Sequence, residues 1–532
     1  MLRLVRFAFT LVVSILALQL VLPAMTYALP VPDAGQILRE LRQPASPGML
    51  PHPAVRTEGP LSERPEDEVR FAVTSFDISG NTAIATGELQ ELLADQLGRR
   101  LGLGELRNAA TRITALYRER GYAVARAYLP AQDIKGGRVP IMVLEGNLAK
   151  VQLRNASSLS DERALAYFKE AAAGAAICSN QVDRGLLLLN DVPGVGAVRA
   201  TLQADAAVGS SDMLVEIDPG PRFAGNLALD NYGNRYTGNA RMSGTLCINI
   251  LSGIGDQIAA TGLLSNHKLG YGRLAYSMPL GRDGMRAGIA YAATRYELAR
   301  EFAALDAHGR ATSLGLSLSY PFIRSQRGLL NGALGIEARR LSDRIGATTT
   351  VNEKRARVAN LGLTASYQDA LLGGGVSGLE LVGSFGRLEI ESPAALAIDQ
   401  ASARTDGAYG KLYLAANRLQ RLSDQDQLWI ALPGRWTNKN LDSSEKFLLG
   451  GANGVRASPQ GEGMGDQGYL ATLELRHNFS ESLQGTMFYD AGSVRISHTT
   501  YDATASNRRS LAGAGLGFNA VLAGIDLRAS LA

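Results

Sequence analysis

Residues 448–459 of the chain read LLGGANGVRASP, and a glycine-rich run follows as far as Gly468. The stretch carries a single arginine, Arg456, and lies between two segments in which apolar and polar residues alternate. After the next turn comes FYDAG at 488–492, which places one aspartate, Asp490, on a strand. A glycine-rich loop loses much conformational entropy when it becomes ordered. The pattern suggests that a charge-assisted pair between Arg456 and Asp490 anchors the loop, in the lumen if the flanking strands form a barrel. The alternative that the residues by themselves leave open is that Arg456 is an ordinary solvated loop charge.

From Phe223 onward, apolar and polar residues alternate with a period of two, as in residues 314–320 and 361–367. Short turns such as 281–284 separate some of these segments, and longer loops such as 391–405 separate others. Strands that are apolar outside and polar inside, with short turns at one end and long loops at the other, are typical of a transmembrane β-barrel. A large soluble sandwich or propeller is the alternative that the alternation by itself leaves open.

The composition bounds the class of protein. The chain has 532 residues, of which 46% are hydrophobic and 20% charged, and its net charge is +4. This length predicts several domains rather than one. No block of basic residues stands out, which argues against nucleic acid as a partner. Cys178 and Cys247 are the only cysteines, and we interpret them as small packing residues rather than as a disulfide or a metal site.

The N-terminus has the pattern of an export signal. Arg3 and Arg6 precede an apolar run over residues 7–22, and small residues follow up to Ala28. This predicts a secretory signal peptide over residues 1–28; the alternative, a membrane anchor helix, is disfavoured because the run is short and ends at a processing site. Beyond Ala28 no segment approaches the ~20 apolar residues of a spanning helix. An exported chain of this kind is either soluble or a β-barrel, because a closed barrel satisfies its backbone in lipid.

Two N-terminal segments precede the first predicted domain. Residues 29–43 contain a short amphipathic helix, in which Asp33 can act as the N-cap and Ile37 and Leu38 share one face. Residues 44–70 are rich in proline and lack periodicity, which predicts a semi-rigid linker.

Two similar units follow the linker. Residues 71–147 predict the order β-α-α-β-β, with a first strand over 71–78. Residues 148–222 repeat this order, with a first helix over 161–173. The two units end roughly 70 residues apart, which predicts tandem small domains.

Several motifs together resemble one known family, the TpsB transporters of two-partner secretion, which are relatives of the BamA-like assembly factors. The motifs are the segment NLDSSEKF at 440–447, the pair Gly450 and Gly451, the pair Val455 and Arg456, and the strand motif of Phe488, Asp490 and Gly492. The segment 230–233 with Thr237 and Gly238 also resembles the first barrel hairpin of the family. The resemblance covers nearly the whole mature chain.

The resemblance implies a fold and a set of domains. The expected fold class is α+β periplasmic POTRA domains followed by an all-β transmembrane barrel of 16 strands. The domains would be a signal peptide (1–28), a plug helix (29–43), a linker (44–70), two POTRA domains (71–147 and 148–222) and an outer-membrane barrel (223–532). By the same likeness, Arg456 lies at the tip of a loop folded into the lumen and pairs with Asp490. Glu474 lies on a polar strand face, where a water-filled lumen accounts for it.

The sequence departs from the family pattern in two places. The family usually has an aromatic residue two positions after the arginine, and Ser458 stands there instead. Counting from Phe223 gives about fifteen strands, the last of them over residues 525–532. Since bacterial barrels have an even number of strands, and the family ends on a strand with a terminal aromatic, we expect that the final strand is missing and that the sequence is truncated.

The resemblance implies that the protein exports a large partner exoprotein of the haemolysin or adhesin type. No nucleotide-binding loop is present in the sequence, and the resemblance implies that the energy comes from folding of the partner outside the cell. The POTRA strand edges would capture an extended polypeptide by β-augmentation. The expected location is the bacterial outer membrane with periplasmic N-terminal domains. The expected partners are the exoprotein, outer-membrane lipid and, during biogenesis, the barrel assembly machinery; we expect no cofactor.

Two other classes of function compete with export. The first is a BamA-like assembly factor that inserts other outer-membrane proteins, which fits the same motifs less well because two POTRA units and a plug helix favour a transporter. The second is an enzyme, which the sequence disfavours. The five histidines are scattered without metal-ligand spacing, and no nucleophile motif is found.

Overall fold

The structure, a computed structural model, describes residues 31–41, 70–122, 124–131, 136–169, 176–204, 209–502 and 506–532. The predicted signal peptide and all but the last residue of the predicted linker lie outside the described residues. No described helix is long and apolar enough to cross a bilayer.

The N-terminal helix α1 spans Ala34–Leu41. It begins after Asp33 because the Asp33 carboxylate accepts a hydrogen bond from the backbone N–H of Gln36 at 2.8 Å, as an N-cap does. Ile37 and Leu38 are buried on the same face.

The first α/β unit packs two main helices against a small sheet. Its elements are β1 (Phe71–Ala72), β2 (Ser75–Ser79), α2 (Thr86–Leu92), β3 (Arg100–Leu101), α3 (Leu103–Glu119), β4 (Arg126–Tyr128) and β5 (Arg138–Leu144). The main sheet has the order β2-β5-β4, with β2 parallel to β5. The single strand predicted over 71–78 is wrong. The chain changes partners at Val73, whose N–H bonds to the carbonyl of Arg99, and at Thr74, whose N–H bonds to that of Gly137.

The second α/β unit repeats this plan. Its elements are β6 (Asn147–Asn155), α4 (Asp161–Ala166), α5 (Ser179–Asn190), β7 (Val195–Ala204) and β8 (Ser210–Pro219). The sheet has the order β6-β8-β7, with β6 parallel to β8. The helix predicted over 161–173 ends at Ala166 and is followed by a turn up to Lys169, after which residues 170–175 lie outside the described part.

The rest of the chain forms one antiparallel sheet of fifteen strands. They are β9 (Phe223–Asp230), β10 (Arg241–Asn249), β11 (Gln257–Ser265), β12 (Gly270–Leu280), β13 (Met285–Glu297), β14 (Ala307–Arg324), β15 (Gly328–Ile345), β16 (Thr350–Asp369), β17 (Gly375–Ile390), β18 (Gly407–Arg421), β19 (Asp426–Thr437), β22 (Gln467–Asn478), β23 (Leu483–Arg495), β24 (Arg508–Leu522) and β25 (Ile525–Leu531). The strands pair in chain order, with β19 beside β22, because β20 (Phe447–Leu448) and β21 (Met464–Gly465) pair with each other in a separate two-stranded ladder. The sheet therefore matches the sequence count of fifteen, and a sixteenth strand is not among the described elements.

The alternation of the strands decides between a barrel and a soluble sandwich. Leu314 and Leu316 of β14 are 50% and 49% exposed, whereas Ala311 and Ser313 on the other face are buried. One continuous sheet with an exposed apolar outer face and a buried polar inner face is a barrel rather than two packed sheets. The predicted long loop over 391–405 contains a helix that the sequence did not reveal, α6 (Pro393–Ala401).

The second α/β unit is fixed to one end of the barrel. Arg324, at the end of β14, forms two hydrogen bonds to the carboxylate of Asp191, at 2.7 and 2.8 Å. Arg184 of α5 donates to the carbonyl of Pro321 at 2.8 Å. Ile250, from the turn after β10, is buried in the apolar core of the second unit. Short turns lie at this end of the barrel, and long loops lie at the other.

Candidate functional site in the barrel lumen

The loop between β19 and β22, residues 438–466, folds inward and is called the lumen loop. Its two arms pair through short strands, β20 (Phe447–Leu448) and β21 (Met464–Gly465). The ladder continues toward the tip, where the N–H of Gly450 bonds to the carbonyl of Glu462 at 2.8 Å. The N–H of Val455 then bonds to the carbonyl of Leu449 at 2.7 Å, which folds the tip back on its own arm. The loop is thus a hydrogen-bonded structure rather than an open coil.

An apolar cluster holds the tip of the lumen loop against the barrel wall. Leu449 and Val455 of the loop are fully buried, and they pack with Leu470 of β22 and Val494 of β23. Val455, one of the predicted motif residues, therefore contributes buried apolar surface. This packing places the next residue, Arg456, beside the polar inner face of β22 and β23.

Arg456 is bonded to two carboxylates on the wall. Its Nε and Nη2 donate to the two oxygens of Asp490, at 2.8 and 3.0 Å. The backbone N–H of Arg456 also donates to Asp490, at 3.2 Å. Nη1 donates to Glu474 at 2.7 Å, so the predicted support residue is a second direct partner. Bidentate pairs of this kind are among the stronger polar contacts in proteins.

The ring of Phe488 and the hydroxyl of Thr472 complete the site. The guanidinium carbon of Arg456 lies 3.5 Å from the centre of the Phe488 ring, which is a cation–π contact. Thr472 donates to Asp490 at 3.0 Å. The guanidinium lies between the Phe488 ring and two carboxylates. Because Phe488 and Asp490 are buried, water is largely excluded from this contact. Burial by itself would lower the pKa of Arg456. The hydrogen bonds and negative charges of Asp490 and Glu474 have the larger effect, so the pKa is raised above its ordinary value.

Two of the predicted glycines are required by close contacts. A Cβ on Gly492 would lie 2.5 Å from both Leu449 Cδ1 and the carbonyl oxygen of Tyr469, so the loop could not approach the strand. Gly451 has a φ of +113°, and a Cβ there would lie 2.1 Å from Gln460 Oε1. Ser458, which stands where an aromatic residue was expected, donates its N–H to the carbonyl of Val455 at 3.0 Å.

A second anchor of the lumen loop lies on the opposite wall and was not predicted. Glu445 is buried and accepts hydrogen bonds from Arg339 of β15 and Lys411 of β18. Asp442 accepts from Lys354 of β16 at 2.6 Å. Burial by itself raises the pKa of Glu445, but the charges of Arg339 and Lys411 outweigh burial and hold it below its ordinary range. The loop therefore crosses the lumen from β15–β18 to β22 and β23.

Helix α1 lies between the lumen loop and the wall. The Asp33 carboxylate accepts from the hydroxyl of Ser443 at 2.6 Å and lies 3.5 Å from Lys354. The N–H of Ala34 donates to Asp343 of β15 at 2.8 Å, and Arg39 donates to the carbonyl of Lys446 at 3.3 Å. The first turn of the helix is thus held by polar groups of both the loop and the wall.

The other faces of α1 are covered as well. Ile37 and Leu38 pack in a cluster with Tyr236, which lies between β9 and β10, and Leu341 of β15. Glu40 accepts from Gln36 at 2.9 Å and from Asn234 at 3.1 Å. Burial raises the pKa of the Glu40 carboxyl to about 7, against the opposing effect of these hydrogen bonds and of Arg241. The helix is seated at the loop end of the barrel.

Residues 209–520, more than half of the chain, match the family described as haemolysin secretion/activation protein ShlB/FhaC/HecB. The chain belongs to this family. Residues 71–146 match the POTRA domain of the ShlB type, so the first α/β unit is a POTRA domain.

Similar proteins extend over nearly the full length. The heme/hemopexin transporter protein HuxB of Haemophilus influenzae (strain 86-028NP) is 29% identical over 530 residues, which are 96% of this chain and 93% of the relative. The outer membrane transporter CdiB of Dickeya dadantii (strain 3937) is 24% identical over 414 residues, 76% of this chain and 72% of the relative. The solved structure of CdiB from Escherichia coli has a TM-score of 0.71 at 20% identity and covers 89% of this chain and 87% of that chain, which shows the shared fold.

The chain is accordingly an outer-membrane secretion pore of the TpsB type, as the sequence motifs predicted. Its N-terminal α/β region lies in the periplasm. The short turns that contact the second α/β unit are therefore periplasmic, and the long loops are extracellular. The match is to secretion transporters rather than to the assembly factors considered as an alternative.

Proposed function

We propose that this pore exports a partner exoprotein of the haemolysin or adhesin type, and that α1 and the lumen loop close it at rest. The observation that carries the proposal is the polar junction of the two elements inside the lumen. Asp33 of α1 bonds to Ser443 of the loop and faces Lys354 of the wall. Hydrogen bonds and ion pairs of this kind can be exchanged for water or for an incoming chain, so the closing elements can leave without unfolding the barrel.

The domain assignment of the sequence fits this proposal. The plug helix (29–43) precedes the linker (44–70), two POTRA domains (71–147 and 148–222) and the barrel (223–532). In the second unit, β7 is a ten-residue strand at one edge of its sheet. A strand edge offers unpaired backbone groups, which an extended polypeptide can pair with. We propose that the exoprotein is captured there before it enters the lumen.

The loop anchor is tested by export of the cognate exoprotein. Arg456→Ala leaves the buried carboxylate of Asp490 without its arginine, and Asp490→Ala leaves Arg456 with Glu474 as its only carboxylate partner. We expect export to fall about tenfold or more at equal barrel abundance, most strongly for Arg456→Ala. The matched control is Arg421→Ala with Asp424→Ala, an arginine–aspartate pair 3.8 Å apart in an exposed periplasmic turn. Undiminished export by both lumen variants would remove the anchoring role. A general loss of other outer-membrane proteins would instead point to an assembly factor.

The plug is tested by a reversible crosslink. A Cβ on Gly35 would lie 2.3 Å from the hydroxyl oxygen of Ser443 and 2.7 Å from the backbone nitrogen of Ser444. The two backbones are therefore in direct contact, and a disulfide between residues 35 and 443 requires only a small outward shift of α1. We expect Gly35→Cys with Ser443→Cys, in a background of Cys178→Ser and Cys247→Ser, to block export when oxidised. Reduction of the same protein should restore export, which makes the reduced form its own control. Export by the fully oxidised protein would show that α1 need not leave.

A further inference from the structure

The outer face of the barrel carries a continuous row of arginines near its extracellular end, which we call the arginine staircase. All six side chains are exposed, and their neighbours along each strand point into the lumen. They are Arg295 of β13, Arg310 of β14, Arg340 of β15, Arg355 and Arg357 of β16, and Arg387 of β17.

The strand register places these arginines against one another. Arg295 stands directly opposite Arg310, Arg340 stands opposite Arg355, and Arg357 stands opposite Arg387. Arg310 is opposite Ser342, two residues from Arg340, so the pairs follow one another diagonally across five strands. Like charges directly opposite each other destabilise a sheet, which favours an anion bound between them.

The protein itself supplies carboxylates to only part of the staircase. Arg355 lies 2.9 Å from Glu391 and Arg387 lies 3.5 Å from Glu389. Glu353 is on the same outer face but forms no ion pair within the described residues. In the described part of the chain, the other four arginines of the staircase have no carboxylate partner. The surface therefore carries an excess of positive charge at the level of the extracellular strand ends.

An apolar groove begins where the staircase ends. It has a volume of about 790 Å³ and starts at Arg357 and Arg387. Its walls include Leu314, Ile336 and Phe385, which are all about half exposed or more on the outer face. On each strand these residues lie on the periplasmic side of the arginines, which is deeper in the bilayer.

We propose that the staircase and groove bind a phosphorylated, acylated glycolipid of the outer leaflet. Its phosphates would lie between the opposed arginines, which form bidentate contacts with phosphate, and an acyl chain would occupy the groove below. The order of charge above and apolar surface below matches an amphiphile whose head group is at the extracellular interface. This arrangement favours an outer-leaflet lipid over a free phosphate ion, because a free phosphate has no apolar group to occupy the groove.

Binding of diphosphorylated lipid A to the purified, delipidated full-length protein tests the proposal. We expect Arg340→Gln with Arg357→Gln to weaken binding about tenfold or more, since each variant position loses charge-assisted hydrogen bonds. The matched control is Arg282→Gln with Arg327→Gln, two exposed arginines in periplasmic turns, and it should bind like the wild type. Ala338→Phe fills the groove and leaves every arginine in place, and we expect it to weaken binding as well.

Binding of related ligands shows which chemical groups of the lipid are recognised. Dephosphorylated lipid A should bind the wild type about tenfold more weakly than the phosphorylated form does. For the staircase variant the difference between the two forms should be smaller, because two of the six arginines are lost. Equal binding of phosphatidylglycerol or of inorganic pyrophosphate would overturn the assignment to a glycolipid. Unchanged lipid A affinity in both the staircase and the groove variants would show that the arginines are simply solvated. None of these readouts depends on export of the exoprotein.

Discussion

One guanidinium group attaches the tip of the lumen loop to the wall. Arg456 uses the fork of its donors on Asp490, a further donor on Glu474 and its flat face on the ring of Phe488. A lysine would keep the charge but lose the fork and the stacking. Since the same side chain makes all three contacts, its geometry matters as much as its charge.

We therefore expect Arg456→Lys to lower the stability of the folded barrel by about 1–3 kcal/mol. The temperature at which the purified barrel unfolds in detergent, followed by heat-modifiable mobility on gels, measures the effect. Arg421→Lys is the control, because its partner Asp424 is 97% exposed. If the lysine variant unfolds at the same temperature as the wild type, a positive charge alone is sufficient at this position.

Glu40 predicts a pH dependence of the plug. The carboxyl has a pKa of about 7 when α1 is docked, raised by burial, against an ordinary value of 4.5 when α1 is released. The docked state therefore binds the extra proton, and docking is strongest below pH 4.5. It weakens as the pH rises from 4.5 to about 7, by up to about 3 kcal/mol, and is constant above that.

Single-channel conductance in planar bilayers between pH 5 and pH 8 measures this effect. We expect the open fraction of the wild type to rise with pH. Glu40→Gln keeps the acceptor oxygen for Gln36 and Asn234 but stays neutral, so its open fraction should be low and independent of pH. A variant with the same pH profile as the wild type would assign the titration to another group.

At the scale of an element, α1 is an eight-residue helix that depends on its surroundings. Isolated helices of this length are marginal in water, so its apolar contacts must hold it. Ile37 is 1% exposed, and we expect Ile37→Ala to weaken docking by about 2–5 kcal/mol and to raise the basal conductance of the pore. Val31, which is 41% exposed just before the helix, provides the control Val31→Ala. Equal conductance of the two variants would contradict a seated plug.

The sequence predicts elements better than it predicts the contacts between them. The alternation of β14 and β16 and the cap at Asp33 are local patterns, and the structure contains them. The helix α6 was missed because its nine residues lie between two strands, where only a loop was expected. Its apolar side chains pack against Ala356 of β16 and against Leu388 and Ile390 of β17, which are brought together only in the folded barrel. The strand predicted over 71–78 is interrupted because its backbone has two distant partners, which no local pattern indicates.

The lumen site shows the same limit. The pairing of Arg456 with Asp490 was implied by the family resemblance, and strand phase placed Glu474 on the polar inner face. The phase of the strands also places Arg339 and Lys354 inside. The identity of their carboxylate partners, Glu445 and Asp442, depends on the path of a loop across the lumen. That path is a property of the folded barrel and not of any segment of sequence.

At the scale of the whole molecule, the second α/β unit and the barrel share buried surface. Ile250 of the barrel lies in the core of the unit, and Arg324 bonds to Asp191 at the rim. A captured polypeptide would thus be held at a fixed place beside the pore entrance. The first unit has no comparable contact with the barrel among the described hydrogen bonds and ion pairs.

A substitution at Asp191 tests how much the Asp191–Arg324 ion pair and the buried contact of Ile250 each contribute to holding the second α/β unit on the barrel. Asp191 is 47% exposed, so we expect Asp191→Asn to cost about 1 kcal/mol, and only locally. That cost corresponds to about fivefold faster hydrogen exchange in α5, with the unfolding temperature of the barrel unchanged. The control is Asp218→Asn, which removes a similarly exposed pair with Arg199 inside the second unit. Because the buried side chain of Ile250 remains in place, the unit should loosen without detaching; complete detachment would show that the ion pair, and not the shared core, fixes the unit to the pore.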